Sequence, residues 1–480
     1  MKKLIKGIIS FALVMICAVS LVACGKSVSA VTVDTSKVET SNGVTTNGGI
    51  TTIYDGYLYF INGTVSNDGT NSTGNTVGAI ARVKLEDGKP NEETYEIVVD
   101  DLVGFDNGSL YFFGDYMYFT TPGTEINYLG KVLYYKTKFM RYDLVNKRKD
   151  TLFTTSQNSE SESISYQYYV IGEHLYLVVY EKTAQTITSL KLDSNVSTNY
   201  VLTDVQTSLL SEKTVQDAAV KNADSYVYYT LSHQTYDANQ NGNVVYRTGI
   251  IENKPEKIAD NGLTISLLSI RNGKLIYSAS DKIYATAMTG ASGETLKTNI
   301  ENTISYISYE NVAFLEASDG NIIILSYDKS TGFVSLWKWI NGTELEENPI
   351  NKIGTYEKFN LITLTTLSET VDEENNVVDS VKYLIYIADS VAYKLEIERT
   401  HDGATTVSTH SQPVKLSTST VNEPTGLIVP EVVGNNLYFL VKELDSSAKE
   451  TGNVYVYTAD ITISEDSTKE ATFFGMKKPE

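Results

Sequence analysis

From about residue 50 onward the chain alternates short apolar runs with turns. No long window places apolar residues at i, i+3, i+4 and i+7 between helix-capping signals. The stretch from Val205 to Val220 is the best exception and is where a short helix is expected. Elsewhere the runs are rich in Tyr, Val, Ile and Thr and are cut by Asn-Gly and Asp-Gly turns, the chemistry of strands.

The runs repeat. A turn precedes an apolar-aromatic core of four residues, first as Tyr57-Leu58-Tyr59-Phe60, then Tyr116-Met117-Tyr118-Phe119, His174-Leu175-Tyr176-Leu177 and Tyr226-Val227-Tyr228-Tyr229. It continues as Lys274-Leu275-Ile276-Tyr277, Val312-Ala313-Phe314-Leu315, Tyr383-Leu384-Ile385-Tyr386 and Asn436-Leu437-Tyr438-Phe439. The second positions advance by 59, 58, 52, 48, 38, 71 and 53 residues, a mean near 54. The irregular steps flank the Ala313 copy, which is therefore either misplaced or followed by an insertion. Most copies lead into another strand with a polar or basic residue near its end, as in Ala79–Val83, Phe139–Leu144, Val244–Arg247 and Val391–Leu395. Each repeat thus reads as a hairpin with flanking strands, about four strands in all.

Within the core both parities are apolar: Leu58 and Phe60 on one face, Tyr57 and Tyr59 on the other. A sandwich strand with one wet face would alternate apolar and polar. Burial on both faces is what a blade experiences between two neighbouring blades. The expected fold is all-β, a β-propeller of seven to eight four-stranded blades over residues 50–480, with two tandem sandwiches as the competing architecture. Closure of the ring could use Val31 to Val38 or Thr472-Phe473-Phe474. The turn-x-Leu-Tyr-Phe unit followed by a Tyr-Arg or Tyr-Lys strand resembles the propeller repeats of low-density-lipoprotein-receptor type. It is also similar to related domains of unknown function in bacterial lipoproteins. The resemblance covers most of residues 50 to 460 and implies ligand binding on a propeller face. The pattern departs from the receptor repeats: Tyr-Trp-Thr-Asp does not occur, the repeats are longer, and Trp337 and Trp339 are the only tryptophans. No functional residue carries across.

The first residues change the picture of where this body works. Lys2, Lys3 and Lys6 precede an apolar run from Gly7 through Val22. That order suits export, the basic end staying inside while the apolar stretch enters the bilayer. The run is short for a spanning helix, which needs about 20 apolar residues. It ends Leu21-Val22-Ala23-Cys24, which resembles the lipobox of bacterial lipoproteins. That resemblance implies residues 1–23 as signal peptide, diacylglyceryl attachment to Cys24, and location on the extracytoplasmic face of the cell membrane. An uncleaved helix or an ordinary cleaved signal is the bland alternative. Residues 24–49, mostly Ser, Thr, Val, Gly and Asn, read as a tether. Cys17 and Cys24 are the only cysteines, so the processed body has no disulfide or cysteine metal site. Net charge of −20 falls by three to −23 once Lys2, Lys3 and Lys6 leave with the signal. Such acidity argues against nucleic-acid partners and against adsorption to anionic lipid.

Candidate chemistry is sparse. His174, His233, His401 and His410 have no metal-ligand spacing, and no H-E-x-x-H, G-x-S-x-G or Walker A pattern occurs. The sialidase Asp-box is approached only by Ser66-Asn67-Asp68-Gly69-Thr70, with the wrong spacing. Asp237, Asn239 and Asn241 stand at alternate positions before Gly242 and form a weak calcium candidate. Thr248 replaces the final glutamate of a full calcium loop, and an Asn/Gly-rich hairpin turn is expected there anyway. No cofactor is expected. The clusters Glu92-Glu93, Glu344-Glu346-Glu347 and Asp372-Glu373-Glu374 read as solvated turns. Most of the 34 tyrosines belong to blade packing, with Tyr95, Tyr128 and Tyr236 as candidates for an exposed surface. The leading expectation is a non-catalytic module binding a protein, peptide or glycan. A glycan hydrolase or lyase with carboxylates from several blades is the alternative, and a structural part of an envelope assembly is the third.

Overall fold

The computed structural model describes residues 50–474, apart from 63–78, 104–109, 127–131, 156–163, 211–225, 233–241, 261–263, 288–301, 305–311, 318–320, 341–343, 346–348, 419–430 and single or paired positions elsewhere. The expected strand Val31–Val38, the tether and Cys24 lie outside the described residues. So do His233, His410, Tyr128, Tyr236 and the calcium candidates Asp237, Asn239 and Asn241.

Eight antiparallel sheets follow one another in sequence, each a meander in which consecutive strands pair, and together they form an eight-bladed β-propeller. Blade 1 holds Thr51–Tyr54, Tyr57–Ile61, Ile80–Glu86 and Glu96–Val99; blade 2 holds Tyr111–Phe113, Tyr116–Ile126, Val132–Asp143 and Arg148–Thr154. Blade 3 holds Ile164–Ile171, His174–Glu181, Thr186–Leu192 and Val196–Leu202; blade 4 holds Val205–Leu210, Tyr226–Ser232, Asn243–Gly249 and Glu256–Ala259. Blade 5 holds Ser266–Arg271, Lys274–Ala279, Lys282–Ala287 and Asn302–Ile304; blade 6 holds Val312–Glu316, Ile322–Asp328, Phe333–Ile340 and Asn351–Thr355. Blade 7 holds Phe359–Val371, Val377–Ala388, Val391–His401 and Ala404–Val407, with Val414–Lys415 also on its third strand. Blade 8 holds Glu431–Val433, Asn436–Leu444, Glu450–Asp460 and Thr472–Phe473. First strands of neighbouring blades touch each other, as in blades 3 and 4, 4 and 5, 5 and 6, 7 and 8, and 8 and 1, so they form the inner wall. Among the described residues the only helical segment is the 3-10 turn Glu92–Thr94, and none is long and apolar enough to cross a membrane.

The second strands are buried on both faces, as their sequence requires. Leu58, Met117, Leu175, Val227, Leu275, Ile322, Leu384 and Leu437 are each at most 1% exposed. Each packs into an apolar cluster shared with the preceding blade. The alternate residues Tyr118, Val178, Tyr228, Ile276, Ile323, Ile385 and Tyr438 join the cluster shared with the following blade. Seven clusters therefore run continuously around the ring. The cluster around blade 1 spans both of its interfaces.

Two expectations are corrected. The Ala313 run is the first strand of blade 6, and the equivalent of the other copies is Asn321-Ile322-Ile323-Ile324 after Asp319-Gly320. With Ile322 in place the irregular steps become 47 and 62 residues, and the longer one is taken up by an extended blade 7. The helix expected from Val205 begins instead as the first strand of blade 4, whose Val205 and Leu210 are buried against blade 3. Tertiary burial overrides a weak local period there. The remainder, 211–220, lies outside the described residues.

Thr472–Phe473 pairs with Tyr457 and Thr458, so it is the fourth strand of blade 8 itself. Contact between blades 8 and 1 comes from side chains. The Phe474 ring meets Phe60 at 4.8 Å, Tyr438 at 4.9 Å and Tyr95 at 5.8 Å, all edge-to-face. Tyr95 is thus half-buried against the core at this joint and not an exposed platform. A buried Phe→Ala change costs about 3–5 kcal/mol, and Phe474→Ala is expected to lower unfolding free energy by that amount in a urea titration.

The turn from Asp328 to Phe333 makes a stricter demand on one residue. Gly332 has φ +71°, donates its N–H to the Asp328 carbonyl at 2.7 Å and accepts from the Tyr356 N–H at 2.8 Å. A Cβ there would collide with the Tyr356 carbonyl, whereas one at Gly56 (φ +75°) meets nothing within 4 Å. Gly56→Ala carries only the left-handed backbone cost of about 1–2 kcal/mol. Gly332→Ala is expected to destabilise by clearly more in the same titration.

Candidate functional site

In a meander of alternating strands, the turns joining strands one to two and three to four lie on one face of the ring. The turns joining two to three, the links between blades and both described chain ends, Ile50 and Phe474, lie on the other. The first will be called the turn face. Tyr57, Tyr116, His174 and Tyr226 open their second strands there.

A three-strand unit recurs beneath that face. Arg82 lies directly across from Tyr59 on one side and Glu96 on the other. Arg141 is likewise set between Tyr118 and Asp150, and Arg247 between Tyr228 and Glu256. The guanidinium also covers the tyrosine two residues earlier: 4.2 Å to Tyr57, 5.0 Å to Tyr116 and 4.2 Å to Tyr226. Arg82 donates to Tyr59 Oη at 3.0 Å and to Glu96 at 2.8 Å. Arg247 donates through Nε to Glu256 Oε2 at 2.8 Å, with a second nitrogen 2.7 Å from the same oxygen. Burial opposes the charge of Arg82 and Arg247. Hydrogen bonds with Tyr59 and Glu96, and with Glu256 and Tyr228, outweigh it and hold both pKa values above the ordinary one. In blades 1, 2 and 4 the arginine of the third strand is therefore the signature of a cross-strand charged link whose acidic end reaches toward solvent.

Third strands also tie one blade to the next on this face. Arg141 donates to the Asp193 carbonyl at 3.2 Å, Ser189 to the Ile250 carbonyl at 2.6 Å and Lys394 to the Ile461 carbonyl at 2.7 Å. In each pair the acceptor lies one residue beyond the following blade's third strand. Lys394 is buried over the Tyr383 ring at 5.0 Å, and desolvation pulls its pKa down. These groups are structural.

Among the described residues, two features of the turn face stand open to solvent. One is a cleft of about 260 Å³ where blades 3 and 4 meet, floored by Ile171 and Ile250 and edged by Tyr226, Ile251, Glu252, Lys254 and Glu256. Ile250 is buried, while Ile251 on the lip is 49% exposed. The other is an arm built by blade 7, whose first two strands run on past the repeat core to pair as far as Val371 opposite Val377. His401, opposite Ala404, ends the companion hairpin. The described first strands carry mostly Ser, Thr, Tyr and aliphatic residues, with Gln167, Gln206, Arg271 and, in the arm, Glu369 among the polar members.

The sequence candidates are scattered by the fold. His174 is exposed and bonds Asp193 at 3.0 Å. His401 sits in the arm with Nδ1 2.8 Å from Asp379. Glu92 and Glu93 are exposed in the 3-10 turn, and Asp372, Glu373 and Glu374 are exposed at the arm tip. Among the described residues no three His, Cys, Asp or Glu side chains gather in a way that would hold a metal ion. The cleft was missed in the sequence, because its apolar lining comes from separate turns of two blades.

No protein-family model matches the chain, and no curated protein matches it. Solved structures with similar architecture include the WD40 domain of SCAP from fission yeast, at 10% identity, TM-score 0.38, covering 80% of this chain and 90% of that one. Porphyromonas gingivalis dipeptidyl peptidase 4 is similar at 10% identity and TM-score 0.38, covering 83% of this chain and 58% of that one. Dihydro-heme d1 dehydrogenase NirN is similar at 11% identity and TM-score 0.38, covering 84% and 72%. Enzymes and a WD40 domain thus stand side by side, and function must be argued from this chain's own surface.

The hydrogen bond to Asp379, with the charges of Asp402 and Asp379, raises the His401 pKa above its ordinary value. This link is at full strength below about pH 6.5, the unfolded value, and fades as pH rises through the raised folded value. In an NMR titration His401 is expected to show a midpoint above 6.5, which Asp379→Asn should bring down.

Proposed function

We propose that this protein is a non-catalytic binding module, lipid-anchored through Cys24 on the extracytoplasmic face of the cell membrane, whose turn face engages a peptide or protein ligand. The observation that carries the reading is where the chain ends leave the ring. Both described ends lie on one face, together with the long hairpins of blades 2 and 8, while the cleft and the blade 7 arm lie on the other. An anchor preceding Ile50 therefore leaves the turn face clear for a partner.

Anchoring rests on the Lys-rich start, the apolar run and Leu21-Val22-Ala23-Cys24. Cells fed an alkyne-tagged palmitate analogue should label the wild-type protein in the membrane fraction. Cys24→Ser is expected to lose the label. Equal labelling of the variant would remove the anchor from the reading. The mature protein applied to peptide and glycan arrays should retain ligand without turning it over, and release of a cleaved product would favour the glycan-active alternative.

A further inference from the structure

We propose that the cleft between blades 3 and 4 receives a lysine side chain from an extended partner peptide, a reading that rests on the turn face being the binding face. Its size bears on the class of occupant. Ligand pockets commonly span about 300–1,000 Å³, and this cleft has about 260 Å³. It suits one long side chain better than an oligosaccharide. Stacking a sugar would also need an open aromatic face, and the one aromatic in the lining, Tyr226, already carries the Arg247 guanidinium 4.2 Å from its ring centroid.

The lining divides along its depth. Ile171 and Ile250 form an apolar floor, and Ile251 exposes half its surface on the lip. Glu252 and Glu256 stand at the rim, 66% and 54% exposed at their side chains. A lysine has the matching order, a four-carbon stem and then a charged head. Both Arg247 contacts with Glu256 fall on Oε2, which leaves Oε1 to accept from a ligand ammonium. Glu252 is paired at 2.8 Å with Lys254, whose side chain is 74% exposed. Exposed pairs of this kind contribute little, so Lys254 can yield its partner to an incoming cation. The chain's net charge of −20 draws basic partners and repels acidic ones.

The test uses the mature protein and three fluorescein-labelled hexapeptides, in which lysine, norleucine or glutamate alternates with serine, read by anisotropy at low and high salt. The lysine peptide should bind at least tenfold more tightly than either control. Glu252→Lys should weaken it about tenfold, and Ile251→Ser, which leaves the charge unchanged, by several-fold, both at an unaltered melting temperature. Attraction to the acidic body in general would survive Ile251→Ser undiminished, and that result overturns the proposal. Equal binding of the norleucine peptide overturns it too, because the occupant is then simply apolar. A protein that retains array ligands but ignores all three peptides refutes this occupant while leaving the binding reading intact. One that binds nothing on either platform refutes both.

Discussion

The joint between blade 8 and blade 1 is the constraint on which the ring depends. Every other pair of neighbours is continuous in sequence, so the chain itself keeps those blades adjacent. Blades 8 and 1 lie at opposite ends of the described chain and must find each other through surface alone. Thr472–Phe473 completes blade 8 with residues from the same end of the chain, so this strand does not carry the closure. Phe474 joins them together with Val433, Tyr438 and Val456 of blade 8, and Phe60, Tyr438 and Tyr95 lie edge-to-face around its ring. Each such pair adds about 0.5–1.5 kcal/mol beyond area burial, and the three act together because they share one ring.

The same packing logic explains why each blade keeps two apolar faces and where it can bear charge. A side chain between blades has no water to turn to, so a charge there must arrive with its partner. The Tyr-Arg-acid units of blades 1, 2 and 4 meet that condition by placing all three groups in direct cross-strand register. Lys394 meets it differently, donating to a backbone carbonyl of the next blade. Arg82 and Arg247 thus link strands within a blade, while Arg141 and Lys394 also tie one blade to the next. Glu252 and Lys254, paired with each other, and Ile251 take no part in those links.

Much of the fold was legible because period-two strands with both parities apolar have few homes other than a propeller. The repeat marked seven of eight second strands correctly. It failed at blade 6 because Ile322, Ile323 and Ile324 carry no tyrosine, while the first-strand run Val312 to Leu315 imitates the motif. Tyr95 was misjudged because its partner Phe474 comes from the far end of the chain, a contact no local pattern encodes. The cleft was hidden for a related reason. Ile171 and Ile251 are ordinary apolar residues beside turns, and only the seating of blade 4 against blade 3 makes them floor and lip.

On the proposed anchoring, geometry also bears on how the module presents itself. Cys24 and Ile50 are separated by 25 residues of linker-like composition, and a Gly/Ser-type linker of that length would span about 25–30 Å on average. Strands of five to eight residues at about 3.3 Å each make the ring some 17–26 Å deep, close to the tether's reach. An anchor at Cys24 would therefore hold the face bearing the chain ends near the bilayer. The acidic body is at the same time repelled by anionic headgroups, which discourages it from lying on its side. If Cys24 is the anchor, a short neutral tether and a strongly negative body would together turn the cleft and the blade 7 arm outward.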